Sequence, residues 1–305
     1  MSSVLILGSS GMLGRMCSLV LSELDSINLF GTSHLGSNEL ITERTGMRNI
    51  LFNSVEDDIN NIVNEINPEY IINCIGRTKP AIDEQSSESI IEAIMVNSLL
   101  PKQLEKISED KGTKIIQIGT DCVFSGKKGN YTVEDNYDPE DIYGQTKSLG
   151  EFDNNKKMLI RTSIIGPEMS PGKFLFNWFF EQDKNAELNG FNNHDWNGVT
   201  TLAFAKIVKG VINNEDYAPK LFHLTPRDLV NKFQLLNIFK ESFDREDISV
   251  NSVAADTVVD RTLVSTNPEK NKNFWLKAGY KDIPSIEDLV VEMSESDYTK
   301  ILMEK

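Results

Sequence analysis

Tyr143 and Lys147 are the residues of this sequence whose types and spacing most directly suggest chemistry. They lie four positions apart, so on a helix both side chains project from one face. A tyrosine can protonate a carbonyl oxygen during reduction if its pKa falls from about 10 towards neutrality. A lysine ammonium one turn away would lower that pKa by stabilising the phenolate. The pair therefore predicts carbonyl reduction, the alternative being two ordinary residues of a surface helix.

Thr120 is the third candidate catalytic residue. It follows the apolar run 114–119, which predicts a strand, and it lies upstream of the Tyr143 helix. A hydroxyl at the carboxyl end of such a strand can bind a substrate carbonyl beside the phenol. The alternative is a threonine that only caps the strand.

Three glycines, Gly8, Gly11 and Gly14, follow the first apolar run of the chain. Gly8 would form a tight turn, Gly11 would admit a pyrophosphate to the backbone, and Gly14 would let the helix approach the strand. The N-terminus of the helix would then bind the phosphates through free N–H groups. This pattern predicts a dinucleotide site, against a purely structural turn.

NADP(H) is the preferred cofactor of this interpretation, with NAD(H) as a possible one. The second predicted strand ends at Ser33 and His34, with no acid to hold an NAD ribose. Arg15, directly after the third glycine, could reach a 2'-phosphate. The alternative for Arg15 is a solvated helix residue.

The elements that must position these residues alternate along the first half of the chain. Apolar runs predict strands at 4–7, 29–32, 50–52, 70–75 and 114–119, and helical periodicity predicts helices at 12–24, 56–66 and 90–108. Such alternation predicts an α/β, Rossmann-type, doubly wound parallel sheet.

The second half has a looser pattern, with plausible helices at 173–182, 201–212 and 230–243. We expect residues 1–165 to form the cofactor-binding domain, which carries the catalytic residues. Residues 166–305 would form a smaller α/β substrate-binding lid, partly interleaved with the sheet.

Charge and composition exclude several kinds of function. With 31 basic and 46 acidic side chains, the net charge of −15 repels nucleic acids and anionic membrane surfaces. No apolar run reaches the ~18 residues of a membrane span. The three scattered cysteines and three histidines predict neither disulfides nor a metal site, which favours a cytoplasmic protein.

Taken together, these motifs resemble the extended short-chain dehydrogenase/reductases, and specifically the dTDP-4-dehydrorhamnose reductase group. The resemblance covers residues 1 to about 165 well and the remainder thinly. The matching runs are 8–14, 71–74, 118–126, 131–135, 143–151 and 159–163.

The resemblance implies reduction of the 4-keto group of a nucleoside-diphosphate-linked deoxysugar, by a homodimer whose interface includes the Tyr143 helix. Thr120, Tyr143 and Lys147 would be catalytic. The cofactor-binding set would be Gly8, Ser10, Gly11, Met12, Leu13, Gly14, Arg15, Ser33, Cys74, Gly76, Asn97, Tyr143 and Lys147. The substrate-binding set would be Arg77, Asp121, Cys122, Val123 and Arg261.

Several of these assignments have alternatives. Arg261 matches a family arginine that meets the sugar-nucleotide diphosphate, whose geometry suits an arginine fork, but it could instead form a surface salt bridge. Arg77 and Lys79 are plausible anion contacts. Arg161 ends a strand and is expected to be structural.

Cys122 is the main departure from the family pattern. The related 4,6-dehydratases have an Asp-Glu pair after the threonine, whereas here Cys122 follows Asp121, which argues against dehydration. The GDP-fucose synthase group, which epimerises before it reduces, has a cysteine at this position. Cys122 could therefore be a proton donor in an epimerase/reductase, or simply a small buried residue.

A third possibility is a partner protein without its own catalysis. The regulatory beta subunit of methionine adenosyltransferase resembles the same reductases and binds NADP. The intact Thr120, Tyr143 and Lys147 argue against this alternative.

Overall fold

A computed structural model describes residues 1–34, 39–151, 157–169 and 173–304. The strands of these residues are β1 Ser2–Leu7, β2 Ile27–Ser33, β3 Arg48–Leu51, β4 Tyr70–Asn73, β5 Lys114–Gly119, β6 Met158–Arg161, β7 Ile164–Ile165, β8 Glu187–Phe191, β9 Asp195–Trp196, β10 Val199–Thr200, β11 Leu221–His223, β12 Val230–Asn231 and β13 Ser249–Val253. The helices are α1 Met12–Leu21, α2 Glu39–Thr45, α3 Ile59–Ile66, α4 Ser87–Ile94, α5 Leu100–Lys111, α6 Ile142–Glu151, α7 Leu175–Phe180, α8 Thr201–Asn213, α9 Lys232–Ser242, α10 Pro268–Lys277, α11 Ile286–Glu295 and α12 Asp297–Met303.

Seven strands form one parallel sheet in the order β11-β6-β5-β4-β1-β2-β3. The chain winds outward from β1 in both directions, so the connections after β1 and β4 leave on opposite sides of the sheet. This reversal opens a crevice at the carboxyl ends of the two strands, where such sheets bind ligands. The predicted Rossmann-type fold is confirmed.

Both faces of the sheet are covered. On one face α1 packs against α8 around buried residues such as Val20 and Phe204. On the other face Leu104 and Ile107 of α5 and Val63 of α3 bury the opposite side chains of the same strands. Side chains of the central strands are therefore apolar on both faces, as the continuous runs in the sequence predicted.

The predicted helix over 90–108 is wrong in its interior. The structure divides this segment into α4, a π-helical turn at Met95–Leu99, and α5. Pro101 stands in the first turn of α5, where its missing N–H breaks the regular ladder least. The extra residue of the π turn lets α6 approach closely, because the carbonyl of Asn97 lies directly against Gly150.

The second half contributes both to the sheet and to a core of its own. β11 adds a seventh strand beside β6. Around α7, α9 and α11 lies a separate apolar cluster in which the rings of Phe176, Phe179 and Phe239 pack at centroid distances of 5.5 and 5.7 Å. Within the described ranges no helix has the length and apolar character needed to cross a bilayer.

Candidate active site

A cavity of about 580 Å³ lies at the carboxyl ends of β1, β4 and β5. It brings together residues that are distant in the chain. From the first half it is lined by Ser10, Gly11, Met12, Leu13, Cys74, Ile75, Gly76, Thr78, Lys79, Pro80, Ile118, Gly119, Thr120, Asp121, Cys122, Tyr143 and Lys147. After β6 it is lined by Thr162, Ser163 and Ile164, and from the second half by Glu168, Met169 and Phe174.

The glycine turn forms one end of this cavity. Gly8 has a φ of +78°, and its N–H donates to the Thr32 hydroxyl at 3.0 Å. A Cβ at Gly14 would come within 2.0 Å of the Gly8 carbonyl oxygen, so only glycine allows α1 this close to β1. Gly11 precedes α1 without a side-chain cap, which leaves the first N–H groups of α1 available to an anion.

Thr120 follows β5 and is held from two sides. Its backbone N–H donates to Glu151 Oε1 at 3.3 Å, and its hydroxyl accepts from the Cys122 N–H at 3.2 Å. The hydroxyl also donates to the Asp121 carboxylate at 3.3 Å. Thr120 therefore caps the short 3₁₀ turn Asp121–Val123 as well as facing the cavity.

The helix α6 carries Tyr143 and Lys147 into the cavity. Asp141 caps its first turn by accepting from the Gly144 N–H at 2.7 Å. A Cβ at Gly144 would lie 2.2 Å from the Cys122 carbonyl oxygen, so this glycine lets α6 press against the turn after Thr120. The phenol of Tyr143 lies close enough to Thr120 for the threonine hydroxyl to affect its pKa.

The pKa of Tyr143 does not fall as the sequence predicted. Burial raises the pKa of the phenol well above its ordinary value, Cys122 adds to this rise, and the nearby Thr120 hydroxyl opposes it. The phenol is consequently protonated at neutral pH, which is the form that a proton donor needs. The raised pKa makes the phenol a weaker acid, so it gives up its proton only to a strong base such as an alkoxide.

Lys147 lies behind Tyr143 and is almost fully buried. Its ammonium donates to the Ile118 carbonyl oxygen at 3.5 Å. Burial lowers the pKa of Lys147, and the Glu151 carboxylate opposes this shift.

Burial raises the pKa of both the acid and the thiol that follow Thr120. Burial raises the pKa of the Cys122 thiol to about 12, and the neighbouring Asp121 carboxylate contributes to the rise. Burial also raises the pKa of Asp121, against the opposing charges of Arg261 and Lys232. Cys122 therefore faces the cavity as a thiol, able to give a proton but not to act as a thiolate base.

Arg161 has the structural role that the sequence predicted. Its guanidinium lies fully buried at the end of β6 and donates to Glu151 Oε2 at 2.6 Å and to the Tyr137 hydroxyl at 2.7 Å. The other oxygen of Glu151 accepts from Thr120. This chain of contacts fixes the end of α6 to the ends of β5 and β6.

Five candidate cofactor residues lie outside the cavity lining: Gly8, Gly14, Arg15, Ser33 and Asn97, the glycines acting through the turn described above. The Ser33 hydroxyl is buried and accepts from the Asn49 side-chain amide at 2.9 Å. Arg15 is also buried, and its Nε has no hydrogen-bond partner among the described residues. Burial lowers the pKa of Arg15.

Asn97 supports the cavity from behind. Its side chain accepts from the Arg77 N–H and donates to the Arg77 carbonyl oxygen, both at 2.9 Å, and donates to the Thr146 hydroxyl at 3.1 Å. It thereby ties the loop after β4 to α6.

Three predicted substrate contacts do not line the cavity. The Arg77 guanidinium turns to Glu92 at 2.6 Å, so its charge is already paired. Val123 is fully buried in an apolar cluster with Phe124, which removes its side chain from the cavity. Arg261 donates through Nε to the Phe124 carbonyl oxygen at 2.8 Å and acts electrostatically on Asp121.

Sequence reasoning missed the residues that the second half supplies. Phe174 and Met169 line the cavity, and Lys232, which is not part of the lining, acts electrostatically on Asp121 and Cys122. One signal for Lys232 was available: it is the first residue of a helix, where the helix dipole disfavours a cation. Among the described residues no group of three or more His, Cys, Asp or Glu side chains is arranged to hold a metal ion.

Comparison with known families decides the classification, because the RmlD substrate binding domain profile matches residues 1–288. The chain belongs to the RmlD substrate binding domain family. The resemblance to the extended short-chain dehydrogenase/reductases is thereby confirmed.

Curated relatives of this RmlD-family chain fall into two groups. A dTDP-4-dehydrorhamnose reductase of Streptomyces griseus is 32% identical over 149 residues, 48% of this chain and 43% of the relative. A methionine adenosyltransferase 2 subunit beta of Danio rerio is 30% identical over 96 residues, 32% of this chain and 28% of the relative. Both matches span less than half of the relative.

Solved structures of the same fold cover the whole RmlD-family chain. A dTDP-4-dehydrorhamnose reductase of Clostridium acetobutylicum shares 23% identity with a TM-score of 0.67, covering 99% of this chain and 100% of that one. A dTDP-4-dehydrorhamnose reductase of Bacillus anthracis in complex with NADP shares 19% identity with a TM-score of 0.70 and full coverage of both chains. At these identities the likeness establishes the fold.

Proposed function

We propose that this protein is an NADPH-dependent reductase of the 4-keto group of a nucleoside-diphosphate-linked deoxysugar. Such a reaction would serve the biosynthesis of cell-surface polysaccharides or deoxysugars. The observation that carries the proposal is the meeting of Thr120, Tyr143 and the uncapped N-terminus of α1 in one cavity. Family membership and the reductases among the relatives support the same chemistry.

The cofactor would lie along the glycine turn, with its phosphates at the N-terminus of α1. The buried Arg15, whose Nε has no partner in the described part of the chain, suits the additional phosphate of NADP. The neighbour from Bacillus anthracis with NADP supports this choice, and NAD(H) is the second option. When bound, the cofactor supplies a hydride to the carbonyl carbon.

The residues of the chain handle the oxygen atom of the reacting carbonyl. Thr120 and Tyr143 orient it by hydrogen bonding, which directs their dipoles at the negative charge that develops during reduction. Tyr143 then gives its proton to the alkoxide. Lys147 holds the ribose side of the cofactor and compensates the phenolate that remains.

The two halves of the chain have different binding roles in this proposal. Residues 1–165 bind the cofactor and supply Thr120, Tyr143 and Lys147, while residues 166–305 bind the sugar nucleotide. Asp121, Cys122 and Arg261 would contact the substrate. The cysteines are unpaired, which supports a reducing, cytoplasmic setting.

A homodimer is part of the proposal. Ile91, Ile94, Leu99 and Leu149 are large apolar side chains that are 55%, 43%, 47% and 58% exposed. They belong to α4, the π turn and α6, which pack against one another. Exposed apolar side chains concentrated on adjoining helices favour a protein interface, and a second copy of the chain is the proposed occupant.

The test is a screen of nucleotide-linked 4-keto sugars for oxidation of NADPH and of NADH, with wild type and the Tyr143→Phe variant side by side. Phenylalanine keeps the ring but removes the proton, so we expect turnover to fall by at least ~100-fold. NADPH affinity, measured by fluorescence titration, should change less than twofold. Undiminished turnover by the variant would reject Tyr143 as the proton donor, and no turnover by the wild type would reject the function.

The same screen separates the two alternatives. An epimerase/reductase that uses Cys122 would incorporate solvent deuterium next to the keto carbon, whereas a simple 4-reductase would not. None of the histidines, His34, His194 and His223, lines the cavity to serve as the opposing base. A regulatory subunit would bind NADP and a partner protein without oxidising the cofactor.

A further inference from the structure

Lys232 is a cation in the second half of the chain whose contacts differ from those of the paired lysines. It begins α9, and its backbone N–H donates to the His194 carbonyl oxygen at 3.1 Å. Its ammonium lies over the Trp196 ring, 5.2 Å from the centroid. In the described part of the chain this ammonium has neither a hydrogen bond nor an ion pair.

The position of Lys232 relative to the cavity follows from its neighbours. The strands β9 and β12 pair Trp196 with Val230, which fixes the ring beside the start of α9. Trp196 in turn donates through its indole N–H to the hydroxyl of Ser163, a cavity residue, at 2.8 Å. The ammonium also acts electrostatically on Asp121 and Cys122, which line the cavity, although Lys232 itself is not part of the lining.

Another lysine of the same chain, Lys157, shows how an ammonium with a purely structural role is paired. Lys157 is fully buried, and its ammonium pairs with the Glu105 carboxylate and donates to the Gly150 carbonyl oxygen at 2.7 Å. Lys232 is half-buried over the Trp196 ring, burial lowers its pKa to about 8, and within the described ranges it has no equivalent hydrogen bond or ion pair. An ammonium that only supports the fold is more commonly paired in the way that Lys157 is.

We propose that Lys232 is a substrate-binding residue whose ammonium donates a hydrogen bond to an oxygen substituent of the sugar ring beside the reacting carbon. The inference rests on the proposed function and deepens it. The sugar is the assigned part of the ligand because Lys232 acts on Cys122, which adjoins Thr120 and Tyr143 around the reacting carbonyl. The cofactor phosphates belong to the opposite end of the cavity, at Ser10 to Leu13.

The experiment compares sugar nucleotides with the same nucleotides lacking the sugar. Calorimetry on the NADP⁺-loaded enzyme would measure binding of dTDP-glucose and UDP-glucose, and of dTDP and UDP. The variant Lys232→Met removes the charge but keeps an apolar stem on Trp196, and Lys232→Arg restores a donor. Lys240→Met is the matched control, since Lys240 lies on the same helix and pairs with Glu246 at 3.0 Å.

Lys232→Met should weaken binding of the sugar nucleotides at least tenfold and that of the bare diphosphates less than twofold, with partial recovery in Lys232→Arg. Lys240→Met should leave both affinities unchanged. Equal weakening of both ligand types would overturn the inference in favour of a phosphate contact, and unchanged affinity would overturn it outright. If the methionine variant does not fold, Lys232→Gln is measured in the same way.

Failure of this inference can be told apart from failure of the proposed function. If wild type binds a sugar nucleotide and Lys232→Met binds it equally well, only the role of Lys232 is lost. If wild type binds none of the sugar nucleotides, the substrate class is wrong and the role of Lys232 falls with it.

Discussion

At the scale of the residue, His223 shows how a buried contact becomes a dependence of stability on pH. Its Nε2 lies 2.9 Å from the Arg161 guanidinium, and its Nδ1 lies 3.0 Å from the Val264 carbonyl oxygen. Because arginine can only donate and a carbonyl can only accept, the ring must be neutral, with its proton on Nδ1. Burial and the charge of Arg161 lower the pKa of His223 to about 3.

The sign of the effect follows from proton binding. Below pH 6.5 the unfolded chain takes up a proton at His223 that the native state refuses until about pH 3, so the free energy of unfolding falls as the pH is lowered. Between pH 6.5 and pH 5 the loss from this residue is about 2 kcal/mol. We expect His223→Gln, which can both accept and donate at this site, to flatten the decline.

Urea unfolding of wild type and His223→Gln from pH 7 to pH 4.5 measures this difference. His194→Gln serves as the control because His194 is not part of the buried Arg161 cluster. Parallel pH profiles for wild type and His223→Gln would contradict the assignment.

At the scale of the element, the position of α6 depends on how closely it approaches its neighbours. A Cβ at Gly150 would lie 2.1 Å from the Asn97 carbonyl oxygen, which belongs to backbone and cannot swing away. Alanine normally favours a helix over glycine by about 1 kcal/mol, but the overlap here should outweigh that gain. We expect Gly150→Ala to lower the free energy of unfolding by about 1–3 kcal/mol.

The same substitution should reduce turnover, because α6 carries both Tyr143 and Lys147. Urea denaturation and kcat, measured on one preparation, test both effects. Gln145→Ala, on the exposed side of the same helix, should leave both quantities close to wild type. A fully stable and active Gly150→Ala enzyme would contradict this prediction and would show that the π turn can move to accommodate the added methyl group.

At the scale of the whole molecule, the exposed apolar side chains of α4, the π turn and α6 are expected to be covered by a second copy. Wild type should then have the mass of a dimer in size-exclusion chromatography with light scattering. Charges placed in an apolar interface are costly, so Ile94→Lys combined with Leu149→Lys should give a folded monomer. Val258→Lys, at an exposed apolar residue elsewhere, should remain dimeric; a monomeric wild type would refute the interface.

How much the sequence determined differs between the two halves of the chain. The strands of the sheet, the glycine turn and the Tyr143 helix were predictable because apolar runs, glycine sterics and helical spacing are local properties. The sequence also identified the candidate catalytic residues Thr120, Tyr143 and Lys147, since strand ends and helix faces follow from the same patterns. The break in the predicted helix over 90–108 could not be predicted from the sequence, because the π turn depends on how α6 packs against it.

Only the tertiary structure decided which charged side chains form ion pairs and which do not. Arg77 looked available in the sequence, but the fold pairs it with Glu92. Lys232 looked ordinary, but among the residues that the structure describes it contacts the Trp196 ring and has no ion pair. The raised pKa of Tyr143 is a further case, because burial outweighs the expected influence of a lysine one turn away. Desolvation and ion pairing depend on neighbours that are distant in the chain, and residue spacing along one element carries no information about them.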